Sequence, residues 1–391
     1  MGEPASLTGR QRWRRTVYPL AAISVLFLLV VVVALTTEPG ESRIGGDFPA
    51  FFAAGQVAGE GAWEDLYDPA VQQAAQEGLV DDEGGFLYFA YPPFVAAGYG
   101  ALADLGYSAA FLIQTAVMAA ALFAAVWWMG PAVPAVTAAP LAAFALAIFL
   151  YPMLTAVIGG QNTALTLALL VAAAYAESKD KEVLAGVAVG LLFYKPQFAV
   201  PLLLLLLVAR RWKGAGAALV TGAGLWAMGA VLMGAGWVTT WWEEATAFAS
   251  INADVNGHLF ISLPGALQHV AGDAGAIVGW VLAATVAATV AVVWWRLGHA
   301  EPWVRYGLAA AGVILVLPQA LFYEAGLLVL PLALLWTWEH ESRRWVALLW
   351  ASSWLQLFGG AVQFSPLLIT VLVTFGWFAA TQRTYLIKGT S

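Results

Sequence analysis

The sequence predicts an all-α polytopic membrane protein, a bundle of about 12 transmembrane helices with short interfacial helices in its first outer loop. Three observations carry that fold class. The 391 residues are 61% hydrophobic and only 10% charged, where ordinary soluble chains carry about a quarter charged residues; mean hydropathy is +0.78. Apolar runs of roughly bilayer length recur from Val17 to Thr381. Lysines and arginines concentrate in alternate loops between those runs, the asymmetry that orients membrane proteins. This composition excludes both a soluble globular protein and a disordered chain. The absence of cysteine excludes disulfides, thiolate metal sites and a cysteine nucleophile.

Residues 1–16 hold Arg10, Arg12, Arg14 and Arg15 ahead of an apolar run from Val17 to Leu35. That run is too long for a signal-peptide core, so it predicts a cytoplasmic N-terminus and an uncleaved first span. Residues 36–106 then form an outer-face loop. As far as Tyr91 this loop holds nearly half of the 24 acidic residues and one cation, Arg43. Periodic apolar positions (Phe48, Phe51, Phe52, Leu66, Val71) predict short helices along the interface. Residues 91–105 are expected to form a re-entrant or interfacial helix that does not cross. Further spans are expected near 107–129, 137–157, 162–176, 183–194, 197–209, 214–234, 274–295, 303–320, 326–338, 345–360 and 365–381. Between them, 235–273 is a second outer loop. Several spans are short for about 30 Å of hydrocarbon, a pattern expected of paired helices around a cavity. The glycine-rich stretch from Gly214 to Gly224 predicts close helix packing. Residues 382–391 make a cytoplasmic tail. Residues 17–381 are thus a single transmembrane domain, and all but two of the 17 lysines and arginines face inward. The exceptions are Arg43 and Lys195.

Under this topology the polar turns between paired runs open outward: Gly159-Gly160-Gln161-Asn162, Tyr194-Lys195-Pro196-Gln197, Pro318-Gln319 through Tyr323-Glu324, and Gln363-Phe364-Ser365-Pro366. The outer loops add Asp47, Tyr91, Asn256 and His258. Polar residues gathered at one face fit an interfacial enzyme, whereas a transporter more often carries them at mid-membrane. Asp47 admits two readings, the N-cap of a helix beginning at Phe48 or a catalytic carboxylate. Lys195 breaks an apolar run where snorkelling accounts for its placement, but a lone lysine also suits an anion site. Gln161, Gln197 and Gln319 equally suit backbone groups freed at helix breaks. His258 fits a structural interfacial histidine as well as a ligand or base, and Glu324 a ligand to an acceptor hydroxyl or an interfacial residue. The four histidines lack metal-ligand spacing and no phosphate-binding glycine loop is present. Neither a metal, a nucleotide nor a nucleic acid partner is expected.

Six segments occur in order: G-G-D-F-x-x-F-x-x-A-G (Gly45 to Gly55), L-Y-D-P (Leu66 to Pro69), F-x-Y-P-P (Phe89 to Pro93), G-Q-N (Gly160 to Asn162), A-G-x-x-x-G-L-L-x-Y-K-P-Q (Ala185 to Gln197) and P-x-x-x-x-Y-[DE] (Pro318 to Glu324). Together they resemble glycosyltransferase family 87, bacterial GT-C-type membrane enzymes that include polyprenyl-phosphate-mannose-dependent α-mannosyltransferases. The similarity runs from about Asp47 to Pro331, with one departure, Glu324 in place of an expected Asp. The resemblance implies a GT-C-like bundle that transfers a hexose, by default mannose. The donor would be a polyprenyl-phosphate sugar and the acceptor a lipid-linked or cell-envelope glycan. Transfer would occur at the outer face of the bacterial cytoplasmic membrane. It also implies that Asp47 is the catalytic base.

Inverting transfer needs a base for the acceptor hydroxyl and preorganised donors for the departing phosphate. Lys195, Arg43 and His258 are the candidates for that phosphate. Gln161, Asn162, Gln197, Asn256, Gln319 and Glu324 suit sugar or acceptor hydroxyls; Tyr91, Tyr194 and Tyr323 suit stacking or hydrogen bonding. A single-phosphate leaving group needs no cofactor. The competing readings are a transporter or flippase for lipid-linked saccharides and a non-catalytic membrane scaffold.

Overall fold

The computed structural model describes residues 9–36, 46–79, 87–338, 341 and 343–382. Every regular element among them is helical, apart from one isolated antiparallel bridge between Phe260 and Leu321. Helix α1 (Gly9–Thr36) carries the first apolar run. The region after it holds α2 (Phe48–Gly59), α3 (Pro69–Ala75) and α4 (Pro93–Ala103). Each has a proline in its first turn, where a missing N–H removes no helical hydrogen bond. The expected short helices are therefore present, but they pack inward. A Cβ on Gly55 of α2 would sit 2.7 Å from the backbone carbon of Tyr99 in α4. Phe48 meets Tyr107 and Phe111, each at 5.3 Å between ring centroids, on α5 (Tyr107–Trp128).

The expected span at 137–157 is broken. After α6 (Pro134–Ala138), α7 (Pro140–Ile148) and α8 (Tyr151–Ile158) meet at a 79° bend. Pro152 in the first turn of α8 explains the restart, because it cannot continue the preceding helix's hydrogen bonds. Next come α9 (Thr163–Glu177), α10 (Glu182–Leu191), α11 (Pro196–Val208) and α12 (Trp212–Met233). A Cβ on Gly186 of α10 would collide with the carbonyl of Gly214 in α12, so this crossing requires glycine. The second loop is mostly helix, α13 (Trp237–Asn256). Then α14 (Leu263–Leu297) is interrupted at Ala271–Gly272, close to the expected start of a span at 274. The chain ends in α15 (Pro302–Val316), α16 (Val329–Trp338), α17 (Arg343–Ser352), α18 (Gly359–Val362) and α19 (Leu367–Thr381).

Among the described residues, four helical segments are long and apolar enough to cross a bilayer: Tyr107–Trp128, Trp212–Met233, Leu263–Leu297 and Arg343–Val362. The bent pair α7 and α8 makes up to 5 if it counts as one. The other expected spans are occupied by apolar helices of 10–17 residues. Length and composition thus support a membrane protein and leave the full set of 12 as an expectation. Two of the short helices, α9 and α15, pack on each other at the centre and are buried along most of their length. Such helices contact protein rather than lipid.

Polar groups collect at both ends of α9, α10, α11 and α15. At one end Glu177 closes α9, Glu182 opens α10, Arg211 follows α11 and Arg305 lies in the first turn of α15. Arg305, an inner-loop cation on the sequence pattern, is wholly buried. Its Nη2 donates to Glu177, and its guanidinium lies 5.0 Å from the Trp294 ring centroid. The Tyr306 hydroxyl donates to Glu177 at 3.1 Å, and Arg211 is 3.7 Å from Glu177 and from Glu182. Removing one member strands the others: Glu177→Leu should destabilise the fold by about 3–5 kcal/mol. Denaturation midpoints in detergent would measure it, and an unchanged midpoint would contradict the assigned role.

Candidate active site

The opposite ends of the same helices bring together segments far apart in sequence. Gly46, with φ +42°, leads into Asp47 at the N-cap position of α2. Asp47 makes no side-chain cap hydrogen bond there. Its Oδ2 instead accepts from Gln161 Nε2 and, at 3.5 Å, from the Tyr323 hydroxyl. The capping reading therefore fails, and the carboxylate faces the interior of the cluster. Burial raises its pKa above the usual aspartate range. The Gln161 hydrogen bond, the Lys195 charge and the Tyr323 hydroxyl oppose that rise without cancelling it.

The turn before α9 is docked against this carboxylate by its backbone. The Asp47 N–H donates to the Gly159 carbonyl at 3.1 Å. Gly160 has φ +70°, and a Cβ on it would lie 2.5 Å from the Phe48 Cβ. Gly160→Ala therefore combines a left-handed backbone with overpacking, which should destabilise by about 1–3 kcal/mol. The same substitution should lower the activity of this site by moving Gln161 and Asp47 apart. Unfolding and activity measured on one preparation check both effects; intact activity in the Gly160→Ala protein would show that the close approach is dispensable.

Lys195 lies between the 3-10 turn Leu192–Tyr194 and α11, extended ahead of Pro196 as a pre-proline residue must be. Its Nζ is 2.6 Å from Glu324 Oε1, with the two side chains 2% and 7% exposed. Thr163 donates to the other Glu324 oxygen at 3.3 Å. Lys195 Nζ also lies 5.7 Å from the Tyr91 ring centroid and 5.9 Å from that of Phe198. A buried ammonium is thus paired with one carboxylate, Glu324, while its charge opposes the rise in the Asp47 pKa.

Around them sits a layer of satisfied polar groups. Asn162 Oδ1 accepts from the Tyr99 hydroxyl at 3.2 Å and from Gln114 Nε2 at 3.1 Å. The Tyr194 hydroxyl donates to the Asn162 carbonyl at 3.1 Å and lies 2.6 Å from the Thr166 hydroxyl. Tyr91 donates to Gln161 Oε1 at 3.5 Å. Sequence reasoning missed Tyr99, Gln114, Thr163 and Thr166. Gln114 carried a usable signal, as an amide within an otherwise apolar predicted span.

Other candidates are placed elsewhere. Gln319 accepts from Asn252 at 3.0 Å and donates to the Ala249 carbonyl at 2.7 Å; Asn256 donates to Asn252 at 2.9 Å. This ladder ties α13 to the loop after α15. His258 pairs with His269 at 6.2 Å between ring centroids, and Gln197 is exposed. Among the described residues, no hydrogen bond or ion pair joins Gln197, Asn256, His258 or Gln319 to Asp47. Arg43 lies outside the described residues. No three His, Asp or Glu side chains among the described residues gather as a metal would require.

The model of glycosyltransferase family 87 matches residues 89–318. Neither the curated proteins nor the solved structures contain a match to this chain. The matched region takes in Tyr91, Gln114, Gln161, Asn162, Tyr194 and Lys195, while Asp47, Tyr323 and Glu324 flank it. Its limits are narrower than the motif resemblance, which begins near Asp47. More than half of the chain is covered, including most of the residues that converge on the carboxylate. The chain belongs to glycosyltransferase family 87.

Proposed function

We propose that this glycosyltransferase moves a hexose, mannose by default, from a polyprenyl-phosphate donor to a lipid-linked or cell-envelope glycan. The reaction takes place at the outer face of the bacterial cytoplasmic membrane, with both termini on the inner side. One observation carries the reading: three polar turns converge so that the half-buried Asp47 carboxylate accepts from Gln161 and Tyr323, while Glu324, next in the chain to Tyr323, pairs with the buried Lys195 ammonium. In the proposed inverting step the acceptor hydroxyl gives its proton to Asp47 as its oxygen bonds to the anomeric carbon. The bond from that carbon to the phosphate oxygen breaks on the opposite face, and its electron pair leaves with the phosphate. Lys195 offsets the charge that develops there, a preorganised contact in a water-poor site. Tyr91 and Tyr323 join the same group of side chains, through Gln161 and Asp47.

The apolar middle of the bundle supports an enzyme over a flippase. Between the polar ends, α9 buries Leu167, Leu170 and Val171, and α15 buries Leu308 and Ile314. A saccharide path would need polar groups at that depth. The test is to incubate the purified protein with a panel of polyprenyl-phosphate sugars and membrane lipid extract, then follow donor loss and product mass. Consumption of one donor with a matching mass gain is expected. No consumption of any member would remove the donor class.

A further inference from the structure

We propose that Gln161 is a positioning residue that orients the Asp47 carboxylate, and that it is not a sugar ligand. The inference rests on the reading of Asp47 as the base. Three observations carry it. Gln161 is only 4% exposed, and both ends of its amide are engaged: Nε2 donates to Asp47 Oδ2 and Oε1 accepts from Tyr91. Each polar atom of the side chain thus already has a protein partner within the cluster. The two loops are also joined by the main-chain bond from Asp47 N–H to the Gly159 carbonyl. Backbone and side chain therefore grip the same residue, Asp47, from one turn. The glycine at 160 permits this by letting the turn lie against Phe48. Gln161 itself is held from behind: the Gln114 amide donates to the Gly160 carbonyl at 3.4 Å and to Asn162 Oδ1.

Gln161 and Tyr323 both donate to Oδ2, which leaves Oδ1 as the oxygen to take the acceptor proton. Fixing a base in this way acts on the reacting geometry and leaves ground-state affinity alone. A sugar ligand would act on donor affinity. The two roles are separable by kinetics.

The test compares wild type with Gln161→Met, which keeps the volume and loses the amide, and with Gln161→Glu, which places a second carboxylate at Asp47. Using polyprenyl-phosphate mannose, Gln161→Met should lower kcat by about tenfold or more and leave the donor KM within about twofold. Its acidic pH limb should move to higher pH, since the carboxylate loses a donor; Gln161→Glu should move that limb further. A raised donor KM with unchanged kcat and pH limb would make Gln161 a substrate contact and overturn the proposal. A second readout needs no donor: infrared titration of the ligand-free protein, with the Asp47 band assigned by its loss in Asp47→Asn. That band should titrate at higher pH in Gln161→Met. An identical titration would overturn the proposal even if Gln161→Met lost activity through poor folding. If wild type transfers nothing from the lipid donor, the donor assignment fails and the infrared result alone decides the role of Gln161.

Discussion

Asp47→Asn abolishes sugar transfer while leaving the protein folded: this is the largest effect expected of any single substitution. Asparagine keeps the shape, and its Oδ1 can still accept from Gln161, but it cannot take a proton. Loss of one positioned base lowers the rate by roughly 10²–10⁴-fold. Stability should move the other way. Burial raises the Asp47 pKa in the folded protein, so the ionised form is disfavoured there relative to the unfolded chain. Such a group contributes stability at low pH and loses it as pH rises through the folded pKa. A neutral asparagine removes that penalty at neutral pH, and the melting temperature should hold or rise. Wild-type transfer should correspondingly fall with decreasing pH along a limb above the usual aspartate range. Thermal melts and rates on the same samples separate the two effects. An Asp47→Asn protein that melts normally and transfers at the wild-type rate would remove Asp47 from the chemistry.

The second large effect concerns Lys195, and a single substitution would mislead. Lys195→Ala leaves Glu324 buried without its ammonium, a loss of about 3–5 kcal/mol. Low activity in that variant would report folding as much as donor binding. The informative protein is Lys195→Met with Glu324→Met, which replaces the pair by apolar groups of similar length. Replacing both members of a buried ion pair is often neutral or stabilising, so the double variant should recover most of the lost stability. It should still use the polyprenyl-phosphate donor poorly, with donor KM raised and kcat lowered, because no cation meets the phosphate. Recovery of both stability and donor use would show that the pair is purely structural.

Much of this arrangement was legible before the structure. The scarcity of charge and the alternation of cationic loops pointed to an all-helical membrane protein, and the described residues are helical with several bilayer-length segments. The break inside 137–157 was less visible, because an apolar run has no polar periodicity to mark a bend; Pro152 was its one signal. The burial of Arg305 could not be read at all. Sequence places it near a cationic loop, and only tertiary packing brings Glu177 and Tyr306 to it.

The site divides in the same way. Asp47, Gln161, Lys195, Tyr323 and Glu324 stood out as polar residues at helix breaks, and their side chains converge. Gln319 and Asn256 met the same criterion but are occupied in the ladder to Asn252. Polarity at a break marks a backbone need or a binding need alike, and the partner that decides lies elsewhere in the chain. Gln161 shows the limit from the other side. Its type suggested a sugar contact, while its engaged amide and its turn suit an orienting role for Asp47.

The most direct test gives the purified protein, with its acceptor lipid, an equal choice of polyprenyl-phosphate mannose and nucleotide-linked mannose, each carrying a distinct isotopic label. Product mass then reports the source of the sugar. Wild type should transfer only the label from the lipid phosphate, and Asp47→Asn should transfer neither. Product carrying the nucleotide sugar's label, or undiminished transfer by Asp47→Asn, would contradict the account.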